Sequence, residues 1–309
     1  MPDRGDEVRP ANRERCVLGE GPVWDAARER LLWVDIRRAL VLVGALRDDG
    51  TVEVVERVGL PEAGTVGAIA VAESGEWLIA GAEGVLVRGV DGSVASGPRL
   101  LPAGSGRRLN DGAPDPAGRF VVGSMSLAED TTDEVLVRVE HDGSVTTLDA
   151  DLSLSNGLAW TADGRRMYSV DTLLRTVFVR DYDPQPGATG PREPFLRLDA
   201  MHPDGCCLDE EEHLWIARWD HGEVQRYSPA GDLVRSIPLP VAHATSVAFA
   251  GPDLATLVVT TASDGLSEAQ LAASPASGLL FTLRPGVRGL PVASWAGSTG
   301  WPATHERDG

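Results

Sequence analysis

Residues 157–172 read GLAWTADGRRMYSVDT, and their pattern decides the fold. A small residue opens the stretch, a short apolar run follows, and Asp163-Gly164 marks a polar turn. A second apolar run then carries Tyr168. Two β-type runs separated by such a turn form a hairpin. The same unit begins at Gly21 (GPVWDAARERLLWVDI), Gly67 (GAIAVAESGEWLIAGA), Gly112 (GAPDPAGRFVVGSM), Gly205 (GCCLDEEEHLWIARWD) and Ser246 (SVAFAGPDLATLVVTT). The six starts are spaced by 46, 45, 45, 48 and 41 residues. Repeats of about 40–50 residues are the period of propeller blades. Two further strand-like runs complete a unit, as in VFVRDYD and PFLRLDA. The expected fold is therefore all-β: a six-bladed β-propeller of four-stranded antiparallel blades, one domain spanning 1–309 with its core at about 14–297.

Outside the repeats, Asp183–Pro194 reads as a Pro/Gly-rich surface loop, and Ser263–Gly278 as a linker with one helical turn near Ser267–Ala273. The first and last dozen residues read as frayed or closing tails, with ring closure placed near Arg15–Leu18. The 309 residues include 42% hydrophobic residues, enough for a core, and carry a net charge of −18. So acidic a surface repels phosphate backbones and anionic lipid, which disfavours nucleic-acid and membrane partners. Every basic residue is Arg, so neither a lysine Schiff base nor a P-loop lysine exists. Cys16, Cys206 and Cys207 are an odd set without C-x-x-C spacing, which is neither a disulfide framework nor a zinc site. With a charged N-terminus lacking an apolar h-region, this points to the cytoplasm. A monomer or weak homo-oligomer is expected.

The residues just ahead of the repeat starts are Glu20, Val66, Asp111 (after Asn110), Asn156, Asp204 and Thr245. The first strand of each blade lines a propeller's channel, so these positions face one axis at one height. Four of the six carry carboxylate or amide oxygen, a ring that repels itself unless a cation sits within it. Such donors suit a hard divalent ion: calcium first, with manganese, magnesium, zinc or iron(II) as alternatives. A single Asn-Gly or Asp-Gly reads better as a hairpin turn than as a ligand. Three in register across blades favour ligation.

Taken together, LGEGPVWD (18–25), RLNDGAPDPAGRF (108–120), SNGLAW (155–160), PDGCCLDEEEHLWIARW (203–219) and SVAFAGPDLATLVVTTA (246–262) resemble the senescence-marker-protein/gluconolactonase/regucalcin family. The likeness runs from about Val17 to about Gly297. It implies metal-dependent hydrolysis of a small sugar lactone to the aldonic acid. The metal would be held by Glu20, Asn156 and Asp204, the substrate by Arg108 and Asn110 with Asp111 adjacent. In one departure the third unit reads GSMSLAED, with Glu129 and Asp130 later than the family's acidic residues that bind substrate hydroxyls. Glu129 is the substrate-binding candidate there.

Asp204 is the candidate general base, with pure ligation as its other role, and Arg108 the candidate oxyanion donor. His202, two residues before Asp204, is placed at the pocket rim or as a bystander; Trp219, Asp220 and His221 are placed at its wall, Trp219 otherwise as blade packing. Cys206 and Cys207 read as buried small residues, and Asp209–Glu212 as a solvated turn. Two alternatives stand beside the lactonase: an organophosphate-hydrolysing phosphotriesterase of the same propeller type, and a non-catalytic calcium-binding propeller.

Overall fold

The computed structural model describes residues 8–128, 131–298 and 301. The first five repeats each supply one four-stranded antiparallel sheet, the sixth supplies three strands of another that the N-terminal segment completes, and the six sheets are the six blades of a propeller. The inner strands are Gly19–Asp25, Ala68–Val71, Arg107–Pro114, Ser155–Trp160, Pro203–Leu208 and His243–Ala250. Each packs on the inner strand of the next blade, and His243–Ala250 returns to Gly19–Asp25.

The second strand of each blade explains why the sequence folds this way. Segments such as LLWV (31–34), WLIA (77–80) and LWIA (214–217) are apolar without a polar alternate. Successive strand residues point to opposite faces, so a continuous apolar run means both faces are buried. In blade 5, Leu214 and Ile216 pack with Tyr168 and Val170 of blade 4. Trp215 and Ala217 point the other way, to Val247 and Val259 of blade 6. The blade 1 side chains Leu31 and Trp33 meet Val258 of blade 6, whereas Leu32 and Val34 meet Ile69 and Ile79 of blade 2. The core is thus a set of interfaces between successive blades.

Ring closure falls elsewhere than expected. Arg9–Pro10 is the outer strand of blade 6, with Arg9 opposite Thr282 and Pro10 opposite Phe281. Arg15–Leu18 instead crosses from that outer edge toward blade 1. Cys16 donates its N–H to Gly278 O, and Val17 O accepts from Ser263 and Asp264. The first dozen residues are therefore in part structural; residues 302–309 of the expected C-terminal tail lie outside the described residues. The expected helical turn is Glu268–Ala273, capped by a reciprocal Ser267–Gln270 pair. The Pro/Gly-rich loop is packed rather than loose, since Arg119 donates to Pro184 O and Arg138 to Gly187 O. Asp209 is wholly buried, unlike a solvated turn residue. Its Oδ2 accepts from Trp215 Nε1 at 2.8 Å and Arg226 Nε at 2.7 Å, because a buried indole N–H and guanidinium need an acceptor. Among the described residues no helix is long and apolar enough to cross a membrane.

The inner strands are irregular at one height. Pairing with the second strand slips between Glu20 and Val23, Leu109 and Gly112, Asn156 and Leu158, Pro203 and Cys206, and Ala244 and Ser246. Each slip puts one extra residue on the inner strand, a β-bulge that re-aims a side chain. The Glu-Gly, Asn-Gly and Asp-Gly pairs are therefore bulges within strands, not hairpin turns. Gly157 shows why glycine is needed: its φ is +31°, and a Cβ there would lie 2.7 Å from Asp204 O in the next blade.

Candidate active site

The bulges bring the expected residues to one place. Glu20, Arg108, Asn110, Asn156 and Asp204 are all less than a tenth exposed. Asp111 is part-exposed because it lines a central cavity of about 540 Å³ that also touches Gly21, Leu158, Cys206 and Phe249. Arg108 is not a surface ion-pair residue: it is buried, and its Nη1 donates to Leu109 O at 3.0 Å and Asn110 Oδ1 at 2.6 Å.

Those bonds start a relay round the axis. Asn110 Nδ2 donates to Ser155 O at 2.8 Å and to Asn156 Oδ1 at 2.7 Å. Asn156 Nδ2 donates to Thr172 Oγ1 at 2.9 Å, and Thr172 Oγ1 donates to Pro203 O at 2.8 Å. Asn156 is so oriented from both ends, its carbonyl oxygen on the Asn110 side and its amide nitrogen away. Thr172 was missed from sequence although it ends the stretch quoted first. Only its hydroxyl between an amide and a carbonyl reveals its role.

The electrostatics are those of an overcrowded acidic ring. Burial, and then the charge of Asp111, push Glu20 up to about 8, opposed by the Gly21 N–H and by Arg108. Burial raises Asp111 to about 6 against N–H groups donated by Gly112 and Gly157. Asp204 stands well above the ordinary carboxylate range through burial, then Glu20, then Asp111, with Arg108 opposing. Buried polar atoms are normally hydrogen-bonded, yet Asp204 Oδ1 is buried without a partner. A cation would supply what this oxygen and the mutual repulsion lack, so the donor set fits a hard divalent ion. Among the described residues no group of three or more His, Cys, Asp or Glu is arranged for a metal. The set that fits is mixed: two carboxylates, Glu20 and Asp204, with the Asn156 amide.

Other positions fall into place around this ring. Val66 is an apolar, fully buried member, and Thr245 is tied to Gly19 O at 2.6 Å and to Thr260 Oγ1 at 2.8 Å. His202 bonds Asp220 through Nδ1 and receives Arg175 Nε at 3.4 Å. Trp219 stacks on His243, and His221 is exposed. Cys206 is buried and Cys207 half-buried, with both thiols raised by burial. Ser263 Oγ donates to Cys16 O. Glu129 lies outside the described residues.

The sequence profile of the SMP-30/Gluconolactonase/LRE-like region matches residues 18–263, which include every site residue named above. The chain belongs to this family. A pentonolactonase of Haloferax volcanii is 36% identical over 282 residues, covering 89% of this chain and 94% of the relative. A 6-deoxy-6-sulfogluconolactonase of Pseudomonas putida is 34% identical, covering 92% and 97%. Among solved structures, regucalcin of Agrobacterium tumefaciens, described as a calcium-binding protein, superposes with a TM-score of 0.87 at 30% identity, covering 94% of this chain and 97% of that one.

Proposed function

We propose that the protein hydrolyses a small sugar lactone to its aldonic acid, using a divalent cation, calcium first, held by Glu20, Asn156 and Asp204. The observation that carries this reading is the buried, partnerless Asp204 Oδ1 among carboxylates whose protonation burial and repulsion favour. Two similar proteins are named as lactonases of sugar acids, which supports the substrate class. When bound, such an ion would polarise the lactone carbonyl and lower the pKa of water.

The chain's own residues do the rest. With Oδ1 turned to the ion, Asp204 Oδ2 takes a proton from the attacking water as the water's oxygen adds to the carbonyl carbon. The fixed positive charge of Arg108 offsets charge developing on the carbonyl oxygen. When the ring C–O bond breaks, Asp204 returns its proton to the ring oxygen, leaving an open hydroxy acid. Asn110 and Thr172 position Asn156 throughout.

A panel of aldonolactones, run beside diisopropyl phosphofluoridate and with or without metal, tests the proposal. Rapid, calcium-restored hydrolysis of a sugar lactone is expected, with chelation abolishing it. Organophosphate turnover without lactone turnover would overturn the substrate. Full lactonase activity in protein shown metal-free by elemental analysis would overturn the cation's role, and metal binding with neither activity would leave a non-catalytic propeller.

A further inference from the structure

We propose that Trp219 is the platform on which the sugar ring of the lactone rests, held in place by His243, so that this pair sets selectivity for polyhydroxylated over plain lactones. The inference rests on the proposed lactonase activity and adds a specificity residue to it.

Backbone pairing places Trp219 beside the strand that carries Asp204. Leu18, His202 and His243 each stand two residues ahead of the ring positions Glu20, Asp204 and Thr245. His243 opens the blade 6 inner strand, and His202 immediately precedes the blade 5 inner strand that carries Asp204. Trp219 follows the blade 5 strand Leu214–Arg218, whose last residue, Arg218, pairs with Pro203 beside Asp204. Its backbone is anchored twice: its N–H donates to His202 O at 3.1 Å, and His243 Nδ1–H donates to its carbonyl at 2.9 Å. Its side chain lies nearly parallel to the His243 ring, with centroids 4.3 Å apart and planes 13° apart. It also packs against the apolar cluster of blades 1 and 2 that contains Leu18 and Val66. That cluster also holds Ala262 of blade 6, the register partner of His243, so the indole lies against blade 6 beside the strand bearing Asp204.

The exposure pattern agrees. Trp215, four positions earlier and within the preceding strand, is completely buried between blades. Trp219 remains part-exposed although apolar, aromatic and fixed. The rigid aromatic surface left uncovered beside the polar ring can receive a ligand. The C–H face of a sugar ring is apolar, and an aromatic with few rotors binds it at small entropic loss. The hydroxyls on the ring edge then remain free for Asn110 and other polar groups.

The test uses Trp219→Leu, Trp219→Phe and His243→Ala in the full chain. D-glucono-δ-lactone and δ-valerolactone are the substrates, and binding of the non-hydrolysable D-gluconolactam is followed by calorimetry. An aromatic contact of this kind is worth about 0.5–1.5 kcal/mol, or roughly a threefold to tenfold change in binding. Trp219→Leu keeps apolar packing while losing the aromatic face. It should raise KM for gluconolactone and Kd for the lactam about threefold to tenfold, with kcat changed less than about twofold, and lower the preference for gluconolactone over valerolactone. Trp219→Phe should recover most of the loss, and His243→Ala should weaken lactam binding in the same direction. Unchanged lactam affinity and lactone preference in Trp219→Leu would overturn the platform while leaving the lactonase reading intact. If the unaltered protein neither bound the lactam nor hydrolysed gluconolactone, the proposed function itself would fail.

Discussion

Replacing Asp111 with Asn should change how the metal-free protein's stability depends on pH, by an amount the structure sets. Asp111 titrates at about 6 in the fold against an ordinary 3.8, because burial disfavours its charge. One pH unit of such displacement corresponds to about 1.36 kcal/mol, so Asp111 alone represents on the order of 3 kcal/mol. The sign follows from the protonated form being favoured in the fold. Its contribution is complete below 3.8 and is lost as pH rises through about 6. Asn keeps an Oδ1 to accept the Gly112 and Gly157 N–H groups and does not titrate. In chelator, urea unfolding of both proteins between pH 4 and 7 should show the unaltered protein falling behind Asp111→Asn by on the order of 3 kcal/mol. With saturating calcium this loss should shrink, because a nearby cation favours the ionised carboxylate. Parallel stability curves in chelator would refute the reasoning, since they would mean Asp111 feels no net penalty for charge.

Asp204→Asn retains an oxygen toward the ion but removes the base, so kcat should fall at least ~10²-fold while metal titration still saturates; retained metal with full turnover would remove Asp204 from catalysis. Arg108→Ala should keep its metal, since Arg cannot ligate a cation, yet lose kcat/KM. Loss of the metal instead would show that Arg108 acts chiefly by orienting Asn110 and hence Asn156. Gly157→Ala should destabilise by about 2–5 kcal/mol, combining roughly 1–2 kcal/mol for left-handed backbone with about 1–3 for overpacking against Asp204 O. A change below about 0.5 kcal/mol in urea unfolding would contradict the close approach of blades 4 and 5.

The blades were legible because their signal is local and repeated. A strand buried on both faces needs an unbroken apolar run, and LLWV, WLIA and LWIA supply it at nearly constant spacing. The closing strand was not legible. Arg9–Pro10 is two residues long, polar at its first position and proline at its second, and its partner Phe281–Leu283 lies at the far end of the chain. An outer-edge strand needs one row of hydrogen bonds and no apolar face, so nothing in its own composition marks it. Asp209 was misread for the converse reason. Its acidic neighbours suggest solvent, but its acceptors are claimed by Trp215 and by Arg226 on the next strand, a pairing made only when the sheet forms.

The ring positions follow from the repeat, whereas the bulges that shape them do not. Register alone placed Glu20, Asn156 and Asp204 together, and it could not distinguish a turn from a ligand because Asn-Gly serves both. The bulges exclude the hairpin turn: one extra residue per inner strand re-aims the preceding side chain without breaking the sheet. The same irregularity makes glycine necessary, since Gly157 must take a positive φ while Asp204 O presses against it. Backbone geometry, carboxylate crowding and the Asn110–Asn156–Thr172 relay are thus one arrangement. The bulge brings the acids together, burial and repulsion raise their protonation, and the relay leaves Asn156 unable to turn its carbonyl away. Substituting any one of these residues should therefore be felt at the others, so the combined effect of Thr172→Val and Asn110→Ala on metal affinity should be smaller than the sum of their separate effects.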